Sequence, residues 1–186
     1  MQTLLLSTGI VALAEMGDKT QLLSLVLATR FRKPWPIVAG IFAATLLNHG
    51  VAGALGAWLM AVVGPTVMRW VLGVSFLAMA GWMLIPDKLD EDEAKPAEKH
   101  GVFVTTVVMF FLAEMGDKTQ VATIALAARF NDLFWVVMGT TIGMMLANAP
   151  VVFFGDALAK RVPLKVVHTT TALIFVALGV WALAGW

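Results

Sequence analysis

The chain has 186 residues, of which 60% are hydrophobic and only 13% are charged. A soluble domain carries about 25% charged residues, so this composition excludes the soluble class and predicts an all-α integral membrane protein. The net charge of +1 gives no basic surface for a nucleic-acid partner, and the absence of cysteine excludes disulfides and thiolate metal sites.

Charged, proline and glycine residues divide the chain into six apolar segments, each long enough to cross a bilayer. The first segment lacks a basic start and is interrupted by Glu15 and Asp18, so we expect a transmembrane helix and not a cleaved signal peptide. The segments that follow are separated at sites such as Gly64 and Pro65. The predicted transmembrane helices cover 3–29, 36–62, 66–85, 102–128, 133–159 and 165–185.

The second half of the chain repeats the first at an offset of 99 residues, without a gap. The segment Leu13–Gln21 recurs letter for letter as Leu112–Gln120. We therefore expect two three-helix repeats, 1–85 and 102–186, joined by an acidic linker at 86–101. Because three is an odd number of helices, the second repeat enters the membrane from the opposite side. Inverted repeats of this kind are typical of secondary transporters.

The distribution of lysine and arginine predicts the orientation of these six helices. Outside the repeated motif, nine basic residues fall on one side of the membrane, and only Arg69 and Arg129 fall on the other. The positive-inside rule then places the linker 86–101 in the cytoplasm and both termini outside. We expect a multi-pass protein in a lipid bilayer, and the sequence leaves homo-oligomerisation open.

Each copy of the motif places two carboxylates and a lysine inside an apolar segment. Charged residues at the centre of a membrane helix cost roughly 2.5 to 3.5 kcal/mol each, which indicates a functional role. On a continuous helix, Glu15, Asp18 and Lys19 would project from one face at about mid-membrane depth. The second motif reaches the same depth from the opposite direction with Glu114, Asp117 and Lys118.

The four carboxylates of Glu15, Asp18, Glu114 and Asp117 predict one shared metal site. Their four negative charges, offset by the two lysines, leave a charge that matches one divalent cation or two protons. Oxygen ligands suit Mn²⁺, Ca²⁺ or Mg²⁺, and buried carboxylates that lose their ion favour protonation. We therefore expect exchange of a divalent cation for protons, with the metal as transported substrate and with no bound cofactor.

Other polar residues at the same depth are candidates for supporting or gating the ion. Asn48 and His49 in the second helix are expected to meet Asn148 of the fifth, and His49 suits a hydrogen-bonded packing role as well as ligation. Gly17 and Gly116 would allow close approach of a neighbouring backbone or local opening of the helix. The motif adds the further candidates Lys19, Lys118, Thr20, Thr119, Gln21 and Gln120.

Three alternatives remain open from these residues. The pairs Glu15–Lys19 and Glu114–Lys118 could be buried salt bridges that only hold helices together. A membrane enzyme acting on a lipid phosphate would also use paired acids, although the sequence offers no intramembrane arginine or serine cluster and no obvious nucleophile. A scaffold or assembly subunit would keep its role without the carboxylates.

The doubled Glu-x-Gly-Asp-Lys-Thr motif in a chain with six predicted membrane helices resembles the cation/proton exchanger family. This family includes MneA-type bacterial manganese exporters and the Golgi calcium/manganese transporters. The resemblance implies that Glu15, Asp18, Glu114 and Asp117 form the ion site. It also implies export of Mn²⁺ across the inner (plasma) membrane. A Ca²⁺/proton exchanger is the alternative, because both ions accept hard oxygen ligands.

Overall fold

The computed structural model describes residues 1–85, 101–155 and 164–184. Most of the predicted linker 86–101 and the predicted end of the fifth helix lie outside these ranges. The described residues form helices and no strand, as the composition predicts. The helices are α1 (Gln2–Glu15), α2 (Lys19–Phe31), α3 (Pro34–Val63), α4 (Pro65–Trp82), α5 (Gly101–Glu114), α6 (Lys118–Phe130), α7 (Leu133–Phe154) and α8 (Leu164–Leu183).

Several of these helices have the length and surface of membrane helices. By length and composition, α3, α7 and nearly all of α8 can cross a membrane, and α1 and α5 are shorter apolar helices. Large apolar side chains are exposed along α3, among them Leu47, Val51 and Trp58. A surface of this kind is unsuited to water and suited to lipid. The chain is therefore an integral membrane protein.

Two of the predicted helices, 3–29 and 102–128, are each broken in two at the repeated motif. The first break separates α1 from α2 and the second separates α5 from α6. Gly17 and Gly116 lie in these breaks with φ angles of 85° and 76°, a left-handed conformation that glycine adopts without steric cost. The prediction of one continuous helix over each range was wrong, and the local opening considered at Gly17 and Gly116 is what the structure shows.

The second half of the fold follows the first helix by helix. Each of the helices α5 to α8 begins 99 residues after its counterpart among α1 to α4. The interfaces are reciprocal as well: α1 packs on α7 as α5 packs on α3, and α2 packs on α7 as α6 packs on α3. The largest interfaces all join one half to the other, so the two halves interlock and do not form separate bundles.

Two apolar clusters lie on either side of the motif. The first is built mainly from α1, α4, α6 and α8 and contains Phe76 stacked on its repeat counterpart Phe175, with ring centroids 6.1 Å apart. The second is built from α2, α3, α5 and α7. Ala14 belongs to the first cluster and Ala113 to the second, directly before the two motif glutamates. Both glutamates are therefore held at the edge of a close-packed interior.

Small residues let the long helices approach their partners closely. A Cβ atom at Gly139 of α7 would lie 2.7 Å from the carbonyl oxygen of Leu4, and one at Gly56 of α3 would collide with the carbonyl group of Ile124. Contacts of this kind are typical of helix packing in membranes, where association depends on close van der Waals contact. The interlocked halves depend on these glycines.

We expect Gly56→Ala to lower the unfolding temperature of the protein in detergent. The added methyl group must push α3 away from α6, and overpacking of this kind costs about 1 to 3 kcal/mol. The matched control is Gly50→Ala on the same helix, where no heavy atom lies within 4 Å of the added Cβ. That control should unfold at the wild-type temperature or above it, because alanine favours a helix over glycine by about 1 kcal/mol. Equal unfolding temperatures for the two variants would contradict the close α3–α6 contact.

Candidate metal centre

The helix breaks place the acidic side chains of the motif at helix ends. Glu15 is the last residue of α1, and Asp18 caps the N-terminus of α2 by accepting a hydrogen bond from the Thr20 amide at 3.5 Å. Asp117 occupies the same N-cap position before α6. The prediction that Glu, Asp and Lys project from one continuous helix face was wrong, because the chain turns between Glu and Asp in both motifs.

Three carboxylates meet between the two breaks. Glu15, Glu114 and Asp117 each offer an oxygen atom, and these atoms lie within 4.8 Å of one another. All three side chains are buried, and neither glutamate has any exposed surface. We call this group the carboxylate cluster. Hard oxygen ligands at this spacing fit a divalent cation such as Mn²⁺, Ca²⁺ or Mg²⁺.

Each glutamate of the cluster has one oxygen held by the protein and one left unengaged. Asn148 donates from Nδ2 to Oε1 of Glu15 at 3.0 Å, and Thr119 donates from Oγ1 to Oε2 of Glu114 at 2.9 Å. Within the described ranges, Glu15 Oε2 and Glu114 Oε1 have no hydrogen-bond partner. A buried carboxylate oxygen without a partner is costly, and a cation between the two glutamates would remove that cost.

The fourth predicted ligand, Asp18, takes a different place. Its Oδ1 atom lies 3.8 Å from Nζ of Lys118, and both side chains are buried. Lys118 therefore interacts with an acid of the other motif, whereas the alternative considered from the sequence was a salt bridge within one motif. The structure brings together three of the four predicted carboxylates and gives the fourth a lysine partner.

The motif glutamines form hydrogen bonds that hold the backbone at the two breaks. Gln21 accepts a hydrogen bond from the Gly17 amide at 3.0 Å and donates to a main-chain carbonyl of α7 at 3.0 Å. Gln120 accepts from the Gly116 amide at 2.8 Å and donates to Oδ1 of Asn48 on α3. Both glutamines thus satisfy a backbone amide that the break leaves without a helical partner, and both tie the break to the other half.

The remaining predicted residues lie around the carboxylate cluster. Asn48 donates from Nδ2 to the carbonyl oxygen of Phe111 at 3.4 Å. The Nε2 atom of His49 lies 4.0 Å from Oε2 of Glu114, and His49 has no exposed surface. The hydroxyl group of Thr20 is buried and has no hydrogen-bond partner in the part of the chain that the structure describes. Thr20 and His49 thus hold buried polar atoms without a hydrogen-bond partner among the described residues.

Three residues that the sequence did not suggest make hydrogen bonds near the first motif: Ser24, His168 and Thr171. Ser24 donates from Oγ to Oδ1 of Asn148 at 2.8 Å, and so fixes the amide that holds Glu15. A weak signal for Ser24 exists, because its counterpart at the repeat offset, Thr123, also carries a hydroxyl group. From α8, Nε2 of His168 lies 3.1 Å from the Met16 carbonyl oxygen, and the Thr171 hydroxyl contacts α1. No motif marks these two residues.

The chain is similar to several known proteins. The family model described as "Divalent cation/proton antiporter GDT1" matches residues 3–91 and 102–186. The chain is 53% identical to a Vibrio cholerae protein named "Putative manganese exporter", over 94% of this chain and 87% of the relative. It is 26% identical to Arabidopsis thaliana "GDT1-like protein 3", over 94% of this chain and 68% of the relative. It is 21% identical to the Saccharomyces cerevisiae "Divalent cation/proton antiporter GDT1", over 94% of this chain and 81% of the relative. No solved structure matches.

We expect Asn148→Ala to weaken the binding of Mn²⁺ to the purified protein by about tenfold or more, as the loss of a residue that orients a metal ligand commonly does. The variant removes the amide that holds Oε1 of Glu15. Isothermal titration calorimetry measures the affinity. The control is Thr29→Ala, because Thr29 is exposed and its hydroxyl bonds only carbonyls of its own helix. Unchanged Mn²⁺ affinity in Asn148→Ala would show that Glu15 needs no such support.

Proposed function

The chain belongs to the GDT1 family of divalent cation/proton antiporters, and from this premise we propose that it exports Mn²⁺ from the cytoplasm in exchange for protons. The family expected from the doubled motif is confirmed, and the chain is a transporter and not an enzyme. The observation that carries the proposal is the buried carboxylate cluster, in which each glutamate keeps one oxygen unengaged. Manganese is the cargo named for the Vibrio cholerae relative.

The proposed arrangement in the membrane has six spans in two inverted repeats. In each repeat the two helices on either side of the break, such as α1 with α2, form one broken span. Their 14 and 13 residues are long enough together for a hydrocarbon layer of about 30 Å. Broken helices that meet near the midplane are common at the substrate sites of secondary transporters. The reciprocal helix interfaces support the repeat.

The proposed location is the inner (plasma) membrane, with both termini outside and the acidic linker 86–101 in the cytoplasm. The support is the asymmetric distribution of basic residues, nine on one side against Arg69 and Arg129 on the other. In this orientation the metal enters the site from the side that carries the linker. Protons then enter from the side of the two termini.

The charges at the site support an exchange of one divalent ion for two protons. The pair formed by Asp18 and Lys118 is neutral. The carboxylate cluster carries three negative charges, and Lys19 of the first motif returns one positive charge. The remaining charge of about −2 must be compensated in a medium that stabilises isolated charges poorly. Either a divalent cation or two protons can compensate it, so the two substrates compete for the same oxygen atoms.

Transport requires a conformational change, because neither glutamate of the cluster has exposed surface. In the proposed cycle the metal binds from the cytoplasm and the site then opens to the outside. Protons replace the metal on the carboxylates, and the protonated site returns. Alternating access of this kind keeps metal and protons on one shared site and prevents a continuous leak.

We expect Asp117→Asn and Glu114→Gln to reduce Mn²⁺ flux in proteoliposomes with an imposed pH gradient by at least about tenfold, because each removes a metal ligand. Asp18→Asn should also slow the flux, since it removes the carboxylate that lies 3.8 Å from the buried ammonium group of Lys118. Asp132→Asn is the acidic control: this residue caps α7 through the Trp135 amide and lies outside the cluster. Wild-type flux in the Asp117→Asn and Glu114→Gln variants would overturn the site.

We expect Mn²⁺ binding to release about two protons per ion, because the metal displaces protons from the carboxylates. At lower pH more of these carboxylates are protonated, so the apparent Kd for Mn²⁺ rises as the pH falls. Calorimetric titrations in buffers of different ionisation enthalpy count the protons. Glu114→Gln should release fewer protons than wild type. Binding that releases no proton would contradict competition for one site.

A further inference from the structure

The two halves of the site differ at one buried position. His49 of α3 stands where the repeat places Asn148 of α7. Asn148 uses both ends of its amide, donating to Glu15 and accepting from Ser24. Both ring nitrogens of His49 lack a hydrogen-bond partner among the described residues, although the side chain is completely buried. At equivalent positions, the second half thus has an amide whose oxygen and nitrogen are both hydrogen-bonded, and the first half has an imidazole whose two nitrogens are not.

His49 lies close enough to the carboxylate cluster to share a bound cation with it. Its Nε2 atom lies 4.0 Å from Oε2 of Glu114, a member of the carboxylate cluster. Two ligand atoms on one six-coordinate ion with bonds of about 2.2 Å lie about 3 to 4.5 Å apart. The imidazole and the Glu114 carboxylate are therefore at a separation from which both can bind the same cation.

An imidazole nitrogen binds some divalent cations better than others. Mg²⁺ and Ca²⁺ take oxygen ligands, whereas imidazole binds divalent ions of the first transition series. A site of three carboxylates alone would hold Mg²⁺ or Ca²⁺ as readily as Mn²⁺. One imidazole beside Glu114 therefore favours Mn²⁺ over Mg²⁺ and Ca²⁺, because transition-metal ions accept a nitrogen ligand more readily than these two ions do.

We propose that His49 is a nitrogen ligand of the transported ion and makes the site select a divalent transition-metal ion such as Mn²⁺ over Mg²⁺ and Ca²⁺. This inference rests on the proposed function and adds to it the residue that sets selectivity. The other described histidine, His168, is already engaged, since its Nε2 lies 3.1 Å from the Met16 carbonyl oxygen. It serves as the matched control.

The direct test is pulsed electron paramagnetic resonance of Mn²⁺ bound to the purified full-length protein. An imidazole nitrogen bound to Mn²⁺ modulates the electron spin echo through its nuclear spin. We expect this nitrogen modulation in wild type and in His168→Asn, and we expect its loss in His49→Asn, which installs the side chain found in the other half. Wild-type protein without the modulation, or His49→Asn with it, would overturn the proposal.

A second spectroscopic variant keeps the test decisive if His49→Asn fails to fold. The chain contains three histidines, at 49, 100 and 168. In the double variant His100→Asn, His168→Asn, labelled with ¹⁵N-histidine, His49 is the remaining source of the ¹⁵N signal. We expect the modulation to change from the ¹⁴N to the ¹⁵N pattern. An unchanged pattern would show that the nitrogen does not come from His49.

Selectivity gives an independent readout that a merely structural role for His49 would not change. Replacing it with asparagine should lower the ratio of Mn²⁺ affinity to Ca²⁺ affinity by about tenfold or more. An equal loss for both ions would assign His49 a structural role and overturn the inference.

Measurements on wild-type protein distinguish failure of the proposed function from failure of this inference. If wild-type proteoliposomes show no Mn²⁺/proton exchange, the proposed function fails. If they exchange but carry no histidine nitrogen signal, only the present inference fails.

Discussion

The cost of burying negative charge inside a membrane governs this structure. Glu15, Glu114 and Asp117 meet in an interior from which solvent is excluded, and the surrounding side chains compensate their charge only in part. In such a medium a carboxylate needs a cation, a hydrogen-bond donor or a proton. Donors hold only one oxygen of each glutamate, so in the proposed exchange a metal ion or protons supply the rest of the compensation. In that proposal both substrates neutralise the same carboxylates.

The support for this charge comes across the boundary between the halves. Asn148 of the second half holds Glu15 of the first, and His49 of the first half stands beside Glu114 of the second. Lys118 pairs with Asp18 in the same crosswise manner. A site assembled in this way changes shape whenever one half shifts against the other. A shift of one half against the other would therefore move Asn148 relative to Glu15 and His49 relative to Glu114.

Much of this arrangement can be predicted from the sequence, and there are physical reasons why the rest cannot. The doubled motif identifies the acids, and the repeat offset pairs His49 with Asn148. Apolar length does not reveal the helix breaks, because they depend on the positive φ angles of Gly17 and Gly116. The ion pair between Asp18 and Lys118 joins the two motifs, so it depends on a tertiary contact that spacing within one motif does not reveal. Support from α8 depends on tertiary packing that no local pattern encodes.

The interlocking of the two halves has a consequence for biosynthesis. The principal packing partner of α1 is α7, and that of α4 is α8, so the first half leaves the ribosome before the surfaces it requires exist. Its helices can enter the bilayer one at a time, since insertion depends on each segment alone, but their association must wait for the end of the chain. During that interval Glu15 stands in the membrane without Asn148. The first half therefore lacks its principal packing partners until the second half has been synthesised.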